Sequence, residues 1–177
     1  MTDSRPLAVG REEAPTFATV AERHLDDVHA YLLYFTGDRS VAEDLTADTF
    51  ERACRRWCRF DPRRGSAKTW LCQLARSTAL DHFRAEQRRR RREGVYALGE
   101  PSDIAEAAFS EGFSPALEEG LRSLSAGERE VIALRVILEF DGEAAARLLG
   151  ISQTACSTRL SRALQKLETK VRDDVLA

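Results

Sequence analysis

Four carboxylates fall within nine residues, Glu43, Asp44, Asp48 and Glu51. A pair of carboxylates can serve as general acid and general base. Here they lie along one helical stretch with no histidine or pocket-forming loop beside them, so they read as a solvated or protein-binding face. Cys54 and Cys58 put two thiols on one helix side, yet no second Cys/His pair completes four metal ligands. Cys72 and Cys156 stand apart, and His24, His29 and His82 are scattered. The cysteines read as reduced, buried small side chains. No glycine-rich phosphate loop or nucleophile elbow occurs. The expectation is therefore no catalytic residue, no metal and no cofactor, and the chain does not read as an enzyme.

Charge points elsewhere. The net charge of −2 over 177 residues conceals a segregation: −6 over 1–50, +10 over 51–92, −8 over 93–150 and +2 over 151–177. One strongly basic segment inside a mildly acidic chain fits a polyphosphate partner, with the acidic stretches left to meet something else. In that segment Trp70, Gln73, Ser77 and Arg84 share one flank of a helix that ends in the arginine run 88–92. An aromatic ring among arginines and amides suits single-stranded nucleic acid, through stacking and phosphate contact. A second constellation lies in EAAARLLGISQTACSTRLSRALQKL, where a short helix, a glycine-containing turn and a longer helix follow one another. That order is the helix-turn-helix signature. Cys156, Leu160, Ala163, Leu167 and Val171 share one side of the longer helix, and Thr154, Thr158, Ser161 and Gln165 the other, with Arg162 beside them. Hydroxyl, amide and guanidinium groups are the types that reach base edges and phosphates in a major groove.

The elements positioning these residues are all helices. Phe17, Val20, Leu25, Val28, Leu32 and Phe35 recur at helical spacing and stop at Gly37. Ser40 with Glu43 fits a capping box for a second helix to about residue 60, burying Leu45, Phe50, Ala53, Cys54 and Trp57. Pro62 and Gly65 break it, and Ser66 caps a third, with Leu71, Ala75, Ala79 and Phe83 inward. Residues 93–113 are acidic, contain three glycines and a proline, and show no period, which reads as a flexible linker. Ser114-Pro115 opens a short helix, and Ser125 with Glu128 a second one carrying Val131, Ile132, Leu134, Val136 and Ile137. Asp141 caps a third, and the last runs from Ser152 to about 171. The expected fold is all-α, two small helical bundles joined by the linker: 16–92, then 93–113, then 114–172 with the helix-turn-helix. No apolar run approaches the ~18 residues of a membrane span, and the first residues lack a secretory apolar core. The expected location is the cytoplasm.

Together these stretches resemble bacterial RNA polymerase sigma factors of the extracytoplasmic-function (ECF) group, in the sigma-70 family. AEDLTADTFERACRRW is similar to the family's second conserved region, and FDPRRGSAKTWLCQLARSTALDHFR to its promoter-melting, −10-reading part. LRSLSAGEREVIALRVILEFDGEAAARLLGISQTACSTRLSRALQKL is similar to the −35-reading domain. The resemblance implies core RNA polymerase as partner, through its clamp helices and flap, and promoter DNA both as duplex and as single strand. An anti-sigma factor is a further candidate partner. Asp44, Asp48 and Glu51 would meet the clamp helices. Arg63, Arg64, Ser66, Lys68, Thr69, Trp70, Arg76, Ser77 and Arg84 would hold the −10 strand. Gln153, Thr154, Ser157, Thr158, Ser161 and Arg162 would read the −35 duplex. Ser77 stands where the family often has Asn, Ala47 where Gln is common, and Ser157 and Leu164 where basic residues are usual. The start of FDGEAAARLLG also departs from the family's aromatic-acidic pattern. The competing expectation is a helix-turn-helix regulator acting without polymerase.

Overall fold

The computed structural model describes residues 15–92, 109 and 113–175, with side chains to 172. Among them are seven α-helices and no strand: α1 Phe17–Thr36, α2 Arg39–Arg56, α3 Ala67–Arg92, α4 Pro115–Ser123, α5 Ala126–Ile132, α6 Gly142–Leu149 and α7 Gln153–Val175. Short 3-10 turns at Trp57–Arg59 and Pro62–Arg64 join α2 to α3, and a π-helical turn at Ala133–Ile137 continues α5.

Most caps follow from the local sequence. Ser66 Oγ accepts from the Thr69 N–H (3.1 Å) and Asp141 Oδ1 from the Ala144 N–H (2.7 Å). Ser114 caps α4 ahead of Pro115, and Ser125 and Glu128 close a reciprocal capping box on α5. The Ser40–Glu43 box is the exception. Asp38 caps α2 instead, its carboxylate accepting from the Val41 N–H at 3.0 Å. Asp38 is as good a cap as Ser, and the Thr36 hydroxyl accepts its backbone N–H at 3.2 Å, which fixes the turn two residues earlier.

Three burial expectations are also corrected. The inner face of α2 is Ala42, Leu45, Thr46, Thr49 and Ala53, whereas Cys54 and Cys58 are exposed. The Thr46 and Thr49 hydroxyls bond back to the carbonyls of Ala42 and Leu45 at 2.7 Å, so both pack as small apolar groups. Leu25 shares a wheel position with Leu32 yet is 48% exposed. Helical spacing places a residue on a face, but only a facing neighbour buries it. Val136 and Ile137 turn outward because the π-helical turn shifts the register after Ile132.

The two bundles share one hydrophobic core, α1 lying against α5 and the π-helical turn while α3 touches α6. Residues 93–108 and 110–112 of the expected linker lie outside the described residues. Phe109 is buried, its ring 5.3 Å from that of Tyr34 and its N–H donated to Glu118 Oε1 at 2.9 Å.

Candidate nucleic-acid interface

The first surface is built where the chain turns from α2 into α3. Asp61 Oδ1 accepts from the Arg63 N–H at 3.0 Å, and Gly65, at φ +153°, swings the chain back toward the start of α3. An L side chain is strained at that angle, which is why glycine stands there. The turn brings Phe60 beside Trp70, ring centroids 5.3 Å apart, while Trp57 stacks on Phe60 at 4.9 Å and 13°. Trp57 also lies 5.6 Å from Phe17. Trp70 is therefore half-buried: part of it completes an aromatic cluster, and part lines an open cleft of about 340 Å³. Arg59, Arg64, Ser66, Thr69 and Gln73 line the same cleft. An aromatic floor ringed by guanidinium, hydroxyl and amide groups can hold an unstacked base and its phosphate.

The other residues expected on this surface divide into two sets. Arg63, Arg64, Ser66, Ser77 and Arg84 are exposed, Arg84 at 3.4 Å from Asp81. Lys68 and Arg76 are half-buried and paired. Lys68 pairs with Asp27 at 3.2 Å and sits 5.6 Å from the Phe140 ring centroid. Arg76 pairs with Glu130 at 2.8 Å. Beyond Arg84, Glu86 is held down to about 2 by hydrogen bonds from Arg89 and Arg90, which neutralises part of the arginine run.

The second surface is the helix-turn-helix. Gly150 ends α6 in the left-handed region at φ +69° with its N–H on the carbonyls of Ala146 and Arg147, and Ser152 Oγ caps α7 by accepting from the Ala155 N–H at 3.1 Å. Cys156, Ala163 and Leu167 face the core, whereas Gln153, Thr154, Ser157, Thr158, Ser161 and Arg162 are all exposed. The start of α5 joins them in a groove of about 700 Å³ shared by Ser125, Gly127, Thr154, Thr158, Arg159 and Arg162.

The third surface is acidic. Asp44 and Asp48 are exposed on α2, and Glu51, also exposed, pairs with Arg55.

Sequence reasoning missed Arg59 and Phe60, which reach the cleft only because two 3-10 turns fold them against α3. It also missed Arg159, which shares the groove with the start of α5. Burial pushes the Cys72 thiol up to about 12, and the described residues hold no group of three or more metal-ligating side chains.

Comparison with known proteins decides what these surfaces belong to. Residues 20–89 match the Sigma-70 region 2 family and residues 114–167 the Sigma-70, region 4 family. The chain belongs to the sigma-70 family. The curated relatives it resembles are ECF RNA polymerase sigma factors. The ECF RNA polymerase sigma factor BldN of Streptomyces coelicolor is 31% identical over 169 residues, covering 92% of this chain. The chain spans 62% of the length of BldN. SigX of Bacillus subtilis, also an ECF RNA polymerase sigma factor, is 27% identical, covering 86% of this chain and 81% of its own. Among solved structures, the sigma factor RpoE of Bartonella quintana, in complex with the anti-sigma factor NepR, superposes with a TM-score of 0.74 at 25% identity. That match covers 88% of this chain and 96% of RpoE. Thus the region 2 lobe carries the aromatic cleft and the acidic face, and the region 4 lobe carries the helix-turn-helix. No described helix of this sigma-70 family chain is long and apolar enough to cross a membrane.

Proposed function

We propose that this chain acts in the cytoplasm as the promoter-specificity subunit of RNA polymerase, without catalytic activity of its own. It binds core polymerase and directs it to promoters by reading −10 and −35 elements, and it assists strand opening. What carries this reading is the presence in one chain of an aromatic, arginine-ringed cleft fitted to single strand and an exposed polar recognition helix fitted to duplex. The exposed face with Asp44 and Asp48 meets the basic side of the clamp helices, and Glu51 completes it. Arg63, Arg64, Ser66, Thr69, Trp70, Ser77 and Arg84 hold the −10 non-template strand, with Lys68 and Arg76 joining once freed from their partners. Gln153, Thr154, Ser157, Thr158, Ser161 and Arg162 face the −35 duplex, and the region 4 lobe meets the flap.

A helix-turn-helix regulator acting alone would leave the region 2 cleft and the acidic face without a task. The test is direct association: mixed with core RNA polymerase, the chain is expected to co-elute as a one-to-one complex in size-exclusion chromatography. A chain that binds duplex DNA but never co-elutes with core polymerase would favour the lone regulator.

A further inference from the structure

The aromatic cleft at the start of α3 carries several polar side chains, and one of them is suited to choosing a base. Arg59 and Arg64 carry N–H donors and no acceptor, which suits a phosphate. Asp61 Oδ1 is taken by the Arg63 N–H. The Ser66 and Thr69 hydroxyls lie 2.9 Å apart, and Ser66 Oγ also accepts from the Thr69 N–H, so both are engaged in starting α3. Gln73 differs. Its amide is exposed, lines the cleft and takes part in no hydrogen bond among the described residues. It stands three residues beyond Trp70, about 4.5 Å along the axis and on the same face. Ser77 shares that face and is exposed, but it does not line the cleft. It lies about 10 Å beyond Trp70 along the axis, and its hydroxyl sits directly on Cβ, with no reach back to the ring.

We propose that Gln73 selects the base captured over Trp70, and that this base is adenine. The inference rests on the promoter function proposed above and adds to it the residue that makes the choice. Stacking on an aromatic ring tolerates every base, so Trp70 holds a base without naming it. The Gln73 amide presents one donor and one acceptor side by side. Adenine offers the complement, its N6 amino group beside N7 on the major-groove edge and beside N1 on the pairing edge. On the major-groove edge guanine has two acceptors, cytosine a lone amino donor, and thymine a lone acceptor next to a methyl group. Each of those three meets the amide in a bidentate pair only through its pairing edge. Adenine alone is held in either orientation of the stacked ring. The pairing edge is free only once the base has left the duplex, so this selection acts on opened strand.

The test uses holoenzyme assembled from core polymerase and the full chain. It is mixed with a promoter library randomised across the −10 element, and the strands retained in open complexes are sequenced. The wild type is expected to enrich adenine at one position of the element. Gln73→Ala should flatten the preference at that position alone, by roughly 5- to 150-fold, the range for one bidentate pair. Gln73→Arg, a donor-only side chain, should move the preference there to guanine, which presents two acceptors. A residue with only a structural role would not redirect the choice in this way. Ser77→Ala should leave that position as it is.

Unchanged selection by Gln73→Ala overturns the assignment, as does a Gln73-dependent position at which the wild type prefers another base. Loss of the same preference in Ser77→Ala overturns it too. A wild-type holoenzyme that selects no more than core polymerase alone overturns the promoter function instead, and the free chain then decides. Its tryptophan fluorescence is titrated with thymidine oligonucleotides carrying one central dA, dC or dG. Stronger quenching by dA, abolished in Gln73→Ala, supports the assignment, and equal quenching by all three overturns it.

Discussion

Reversing two charges on α2, Asp44→Lys with Asp48→Lys, should abolish binding to core polymerase while leaving the helix content unchanged. Both side chains are exposed, so the fold loses no buried contact and the change acts on the partner. Like charges brought together at an interface cost several kcal/mol, and an affinity falls ten-fold for each 1.4 kcal/mol. The expected loss is therefore at least about 100-fold in equilibrium binding. Because Glu51 is already paired with Arg55, Glu51→Lys alone should do less. A folded double variant that binds core as tightly as the wild type removes this face from the proposed interface.

Trp70→Ala and Arg162→Ala should separate the two DNA-reading surfaces. Arg162 is exposed on the recognition helix, where loss of a base contact lowers promoter affinity by about 1–3 kcal/mol and loss of a phosphate contact shallows the salt dependence. Trp70 offers a stacking surface only after the strands part, when each stacked base contributes roughly 1–3 kcal/mol. Trp70→Ala should spare the closed complex and reduce opening by a factor between about 5 and 150. Since Trp70 also packs on Phe60 and Trp57, Trp70→Phe is the control, keeping a ring over the cleft and most of the opening activity. Permanganate footprinting beside a gel shift on the closed complex reads both steps. The assignment is reversed if Trp70→Ala loses the closed complex while Arg162→Ala loses only opening.

Helices with their own punctuation were legible in the sequence. Ser66, Ser114, Ser125 and Asp141 each cap the helix expected of them, because a cap is a contact within four residues and needs no tertiary partner. The recognition helix was legible for a related reason: its buried face, Cys156, Ala163 and Leu167, keeps a strict period over several turns. What the sequence did not show depends on contacts between distant residues. Thr46 and Thr49 replace Cys54 on the inner face of α2 because their hydroxyls find carbonyls one turn back, and hydrophobic periodicity does not count threonine. The lobe contact was invisible for the same reason. Arg129 has one local acceptor, the Leu124 carbonyl, and its other partners and those of Glu130 come from α1 and α3, some 50 to 100 residues away.

The central claim, that this chain gives core RNA polymerase its choice of promoter, is tested most directly by transcription in a defined mixture. Core polymerase, the purified chain and fragmented genomic DNA are combined, and the 5′ ends of the transcripts are mapped. The expected result is a small set of start sites absent with core alone, sharing two upstream elements, and weakened by Arg162→Ala. Start sites identical to those of core polymerase alone would contradict it.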